Sequence, residues 1–128
     1  MIDILSFVLL FKTGKILAYV SDAHERLITS LKFLTNIGNL NSKSTCVPKS
    51  ILLFSSSRDR TVKMWSLNCD NNPTQTWNIC LEQTIEGHVH SVWDLDCTAD
   101  YLVAGSADKS IRVWKNGLNG GDTAYLGK

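Results

Sequence analysis

Charge of one sign is what this chain has least of. Thirteen Lys and Arg stand against twelve Asp and Glu, a balance of about +1, so no net field draws it to nucleic acid or anionic lipid. It has only two prolines, and its four cysteines (Cys46, Cys69, Cys80, Cys97) contain no Cys-x-x-Cys. A zinc site or a disulfide framework needs tighter, paired spacing, so the thiols read as reduced, in a cytoplasmic or nuclear protein. No apolar run reaches the ~20 residues that span a bilayer. The apolar start, Met1–Phe11, has no basic leader and places Asp3 where a signal peptide favours Lys or Arg. It reads instead as a buried strand, with Lys12–Lys15 as the turn before the next. No segment holds a 3.6-residue apolar period, so almost no helix is expected.

What is present is repetition. Arg58–Trp65 reads R-D-R-T-V-K-M-W and Ala107–Trp114 reads A-D-K-S-I-R-V-W. The shared pattern is x-Asp-basic-hydroxyl-β-branched-basic-apolar-Trp, and the two copies lie 49 residues apart. Self-similarity at that period marks a repeat architecture.

Strand-like runs closed by turn signals fill the rest of the chain. They are Ile4–Phe11, Ile16–Val20, Ile28–Leu34, Ile51–Ser56, Thr61–Ser66, Trp77–Ile85, Ser91–Cys97, Tyr101–Ser106 and Ile111–Trp114. Asn68–Thr76 reads as a polar loop. The tail Lys115–Lys128, with four glycines, is expected to fray. The order strand, His, strand, strand, Asp turn, strand ending in Trp occurs twice. His88 precedes Asp108 by 20 residues and His24 precedes Asp59 by 35. The difference equals the polar stretch Asn36–Ser50, which reads as an insertion in one hairpin, a cheap change because closing a longer loop costs little.

These residues resemble the WD40 repeat family over most of the chain. The second copy carries Gly87-His88, Ser91-Val92-Trp93 and Ala104-Gly105-Ser106-Ala107-Asp108 through Trp114, with Lys115 where the family has Asp. The first carries Ala23-His24 and Ser55-Ser56-Ser57-Arg58-Asp59 through Trp65, then Ser66. The resemblance implies an all-β fold of antiparallel four-stranded blades set radially in a β-propeller, here incomplete, about two to three blades. The implied units are 1–23 (the last strands of a blade), 24–86 (a repeat with its insertion at 36–50) and 87–128 (a repeat with a flexible tail). The chain is expected to start inside a blade, in its third strand, with Leu9 near the place of the missing Trp. A partial ring leaves edges and inter-blade faces open. The expectation is therefore a piece of a longer protein or, failing that, self-association into a closed ring.

The resemblance also implies a structural network in each unit: His24, Ser55 or Ser57, Asp59 and Trp65, then His88, Ser106, Asp108 and Trp114. Ala104 occupies the place of Ser55, which leaves the second network incomplete if the network Ser belongs there. The Asp is expected to bond its own backbone and to tolerate an unusual φ.

Catalysis is not expected. His, Ser and Asp occur together twice, whereas an enzyme needs one site, and there is no G-x-S-x-G elbow. His88-Val89-His90 offers two ligands at most where structural zinc wants four, so neither a metal nor a cofactor is expected. Trp65 and Trp114 repeat with the units and read as packing residues; Trp93 is placed to reach a rim, and Trp77 opens a strand. Arg58, Arg60, Lys63, Lys109 and Arg112 alternate with apolar residues as on a strand with one solvated face. The implied function is a scaffold or adaptor for protein partners, without membrane or direct nucleic-acid binding. The implied contacts are the rim residues Glu25, Leu27, Arg58, Val89, Ser91 and Ala107. The alternative is a subunit of a nucleic-acid-associated complex, in RNA processing or chromatin.

Overall fold

The computed structural model describes residues 7–10, 16–35, 51–69, 77–115 and 124–127. Every regular element among them is a strand, and no helix among them is long and apolar enough to cross a membrane. In chain order the strands are β1 (Phe7–Leu10), β2 (Ile16–Val20), β3 (Ile28–Thr35), β4 (Ile51–Ser57), β5 (Val62–Cys69), β6 (Trp77–Ile85), β7 (Val92–Cys97), β8 (Tyr101–Ser106), β9 (Ile111–Lys115) and β10 (Ala124–Gly127). They form a β1–β2 hairpin and two four-stranded sheets, β3-β4-β5-β6 and β7-β8-β9-β10, in which every neighbour is antiparallel and follows in chain order. This is the all-β, four-stranded-blade architecture that the repeat implied.

Two apolar layers hold the sheets together. Leu53, Trp65 and Leu67 from one face of the first four-stranded sheet pack with Ala23, and Val20 at the end of β2 joins them. From the other face Phe54, Val62 and Ile85 meet Val92, Leu95, Leu102, Ala104 and Trp114 of the second sheet. Side chains alternate across a strand, so a strand covered on both faces buries consecutive residues. β4 does so: Leu53 through Ser57 are all buried. β8, covered on one face, alternates instead, with Leu102 and Ala104 buried and Tyr101 exposed. A hydrogen bond stitches the same interface, from Thr29 Oγ1 on β3 to the Val92 carbonyl on β7, 2.7 Å away.

Three expectations need correction. The tail contributes a strand, since Ala124 and Tyr125 of β10 pair with Lys115 and Trp114 of β9; partner hydrogen bonds outweigh the local Gly-rich composition. β5 continues through Asn68 and Cys69, opposite Asn78 and Trp77 of β6, so these two residues do not belong to the expected loop, the rest of which, 70–76, lies outside the described residues. The positive φ in each turn belongs to the residue after the Asp, Arg60 (φ 77) and Lys109 (φ 68). The insertion at 36–50 and Cys46 lie outside the described residues.

Candidate functional site

The loops at one end of the two sheets bring the repeated polar residues together. In the first unit, Arg60 N–H donates to the Ser57 carbonyl to close the β4–β5 turn. Asp59 then serves both the turn and the loop before β3. Its Oδ1 accepts the Thr61 N–H at 2.9 Å and the Thr61 hydroxyl at 2.6 Å; its Oδ2 accepts His24 Nδ1–H at 2.8 Å and the Glu25 N–H at 3.2 Å. Beyond the ring, His24 Nε2 lies 2.7 Å from Ser55 Oγ, and Trp65 Nε1–H donates to that oxygen at 2.9 Å. An indole N–H only donates and a carboxylate only accepts. A neutral His24 with its proton on Nδ1 therefore satisfies every atom from Trp65 to Asp59, the Ser55 hydroxyl donating to Nε2.

The second unit keeps half of this. Asp108 Oδ2 accepts His88 Nδ1–H at 3.0 Å and the Val89 N–H at 3.1 Å, and Oδ1 accepts from the Ser110 N–H and hydroxyl. At the position of Ser55 stands Ala104, and His88 Nε2 is buried with no hydrogen-bond partner among the described residues. The His88 and Trp114 rings meet edge-on at 5.8 Å instead.

Burial pushes the Asp59 carboxyl up, but the hydrogen bonds from His24 and Thr61 outweigh it and hold the group well below the usual carboxylate range. The Ser110 hydroxyl does most to hold Asp108 down, against burial and with help from His88.

Ser57 and Ser106, also repeat-equivalent, brace loops. Ser57 Oγ donates to the Arg26 carbonyl and accepts the Asp59 N–H; the single Ser106 hydroxyl proton is shared between the Ser91 and His90 carbonyls, and its oxygen accepts the Asp108 N–H. The line Ser55–His24–Asp59 has the order of a hydrolytic triad. Yet Ser55 is 0% exposed and its oxygen already takes the Trp65 N–H, so no substrate carbonyl reaches it. His88 is buried and His90 exposed, both in the loop before β7. Among the described residues no group of three or more His, Cys, Asp or Glu is placed to hold a metal.

Between these loops lies an open groove of ≈ 420 Å³ that joins the two units. Four of the six rim residues singled out from sequence, Glu25, Arg58, Val89 and Ser91, line it. The other two are exposed beside it through their backbones: the Leu27 carbonyl accepts the Arg58 N–H, and the Ala107 N–H donates to the Ser91 carbonyl. Arg26, Arg60 and His90 complete the lining with Asp59 and were not among the expected rim contacts. Arg26 and His90 each stand two residues after the network His, so the repeat itself held the signal. Trp93 is 52% exposed, with the Arg58 guanidinium 5.8 Å from its ring centre. Trp65 and Trp114 are buried, and half-buried Trp77 packs against the first apolar layer.

The five alternating basic residues do not share a solvated face. Arg58, Arg60 and Lys109 are exposed in turns, whereas Lys63 and Arg112 are half-buried. Lys63 Nζ donates to the Ala23 carbonyl at 2.9 Å. Gly87 has φ +142, a backbone conformation that side chains rarely adopt, and a Cβ there would also crowd the flexible end of Arg112, 2.8 Å from its Nη1. That explains Gly87 at the place that Ala23 fills in the first unit.

The chain is 37% identical over 79 residues to WD repeat-containing protein pop1 of Schizosaccharomyces pombe, covering 49% of this chain and 10% of that protein. It is 34% identical over 94 residues to eukaryotic translation initiation factor 3 subunit I of Saccharomyces cerevisiae, covering 71% and 20%. It is 35% identical over 79 residues to small ribosomal subunit protein RACK1 of the same yeast, covering 60% and 24%. The chain thus spans a quarter or less of the length of these relatives. A family model for the WD domain, G-beta repeat (WD40), matches residues 15–66 and 79–115. Those two stretches make up well over half of the chain, which belongs to the WD40 repeat family.

Proposed function

We propose that this chain is a protein–protein interaction scaffold, a WD40 segment that presents its rim loops to partner proteins within a larger assembly. The observation that carries this reading is the groove between the loops of adjacent sheets, lined by Glu25, Arg58, Val89 and Ser91. Its walls stand on sheets locked by buried polar networks, so the loops are held in place without a partner. Residues 1–23 are read as the last strands of one blade, 24–86 and 87–128 as the two that follow. No catalytic role is proposed, and the compartment is cytoplasmic or nuclear.

A second reading, a subunit of a nucleic-acid-associated assembly, draws support from two relatives named as a translation initiation factor subunit and a small ribosomal subunit protein. It concerns the assembly and leaves the same rim as the contact surface.

The test places a photo-cross-linking residue at Ser91 of the full chain and, as control, at Ile111 on the far face of the second sheet. Partners captured from Ser91 are then tested for binding to Arg58→Glu and Ser91→Trp. Loss of binding in both variants is expected. Binding that survives both removes this face as the partner site.

A further inference from the structure

Three guanidiniums, from Arg26, Arg58 and Arg60, line the rim groove together with His90. All three arginines are exposed, and the two histidine–carboxylate contacts nearby, His24–Asp59 and His88–Asp108, involve none of them. Of the two acids on the walls, Asp59 is committed, each of its oxygens already taking two donors. That leaves Glu25 alone against three guanidiniums. Arg58 is further biased in position: its guanidinium lies over the Trp93 ring, 5.8 Å from the centroid, within cation–π reach, and a guanidinium can offer two parallel N–H bonds to one oxyanion.

We propose that this groove binds an acidic protein segment, with Arg58, over the Trp93 ring, as the anchor and Arg26 and Arg60 flanking it. The recognised chemistry is a paired oxyanion on a peptide, either a side-chain carboxylate or a phosphate ester. The inference rests on the reading of the rim as a partner face and names the chemistry of what docks there. A polynucleotide fits less well. The chain carries only about +1 overall, Lys63 and Arg112 are half-buried instead of extending the cationic surface, and the groove is a pocket between two loops where a strand would need a continuous basic track.

The experiment probes the full chain with an array of short peptides. Each backbone is presented with Glu, phosphoserine, Gln and Ser at the variable positions, and hits are measured by fluorescence anisotropy. Glu or phosphoserine versions should bind at least ~10-fold tighter than the Gln and Ser versions, with affinity falling as salt rises. Which of the two binds tighter tells carboxylate from phosphate. Arg58→Ala, and separately Arg26→Ala with Arg60→Gln, should remove most of that preference while the melting curve stays in place, because all three side chains are exposed. The Trp93 emission should shift on binding and be absent from the difference spectrum of Trp93→Phe.

No preference for acidic peptides overturns the proposal, as does a preference untouched by the arginine variants. A single-stranded RNA oligonucleotide binding tighter than every peptide also overturns it. Neutral peptides that bind and are lost in Ser91→Trp overturn it too, while leaving the rim as a partner face.

Discussion

The two repeats solve the same problem with different completeness. In the first, a line of hydrogen bonds runs unbroken from the Trp65 indole through Ser55 and His24 to Asp59 and Thr61. In the second, the line stops at His88, because Ala104 stands where a hydroxyl would continue it. Yet the turn of the second repeat has the same form: the positive φ falls at the same place and the Asp takes the same four donors. The Asp-to-His half is therefore enough to shape the loops. The Ser-to-Trp half acts on the core, where an unmet polar group costs about 1–3 kcal/mol.

The comparison breaks most sharply at Ser55. Ser55→Ala copies the second repeat into the first and strands both His24 Nε2 and the Trp65 N–H, so urea denaturation should show a loss of about 2–5 kcal/mol. A loss under ~1 kcal/mol would mean the hydroxyl link contributes little in either repeat.

Next come the carboxylates. Asp59→Asn and Asp108→Asn each exchange a charged acceptor for a neutral one, at about 1.5–3 kcal/mol. Both groups have native values below the unfolded one, so the unfolded chain takes up their protons first as the medium is acidified. Their contribution is full above pH ~4 and is lost as pH falls below it toward the lowered native values. Stability measured against pH should therefore drop on that acid limb, less steeply in each Asn variant. Identical limbs in wild type and variants would contradict the assigned bonds.

Ala104→Ser is the reciprocal of the first change. It offers His88 Nε2 a hydroxyl and should stabilise by about 1 kcal/mol. A destabilised variant would mean that the space beside Leu95 and Leu102 does not admit the oxygen. The smallest effect is expected at Lys109→Gly, which relieves a left-handed residue that costs about 1 kcal/mol but makes the unfolded chain more flexible. A few tenths of a kcal/mol of net gain is the outcome, visible as a small rise in Tm.

The repeat and its sheets were legible because strand patterning is local: β-branched and apolar residues alternate, Gly and Asp mark turns, and a second copy fixes the register. β10 was not, because Ala124–Gly127 is a strand only by virtue of its pairing with β9 and has nothing in its own composition to say so. Lys63 and Arg112 read as solvated because alternation cannot tell water from a half-buried face whose charge is met by a backbone carbonyl, as Lys63 is by Ala23. The loss of the second Ser–Trp link was readable by aligning Ala104 with Ser55. The groove was only partly so, since a lining drawn from both units depends on how the two sheets stack.

Val62 and Ile111 occupy the same place in the two repeats, yet Val62 is 1% exposed and Ile111 62%. The first position is covered by a following sheet and the second is not. Amide protons should report this asymmetry as a gradient along the chain. Those of β4, between two apolar layers, exchange only when the molecule opens as a whole, while those of β8 and β9 exchange through a smaller opening of one sheet. The fold thus keeps time differently at its centre and its flank, and a binding partner that covers Ile111 would be detected first as slowed exchange there, before any change in the loops that hold the groove.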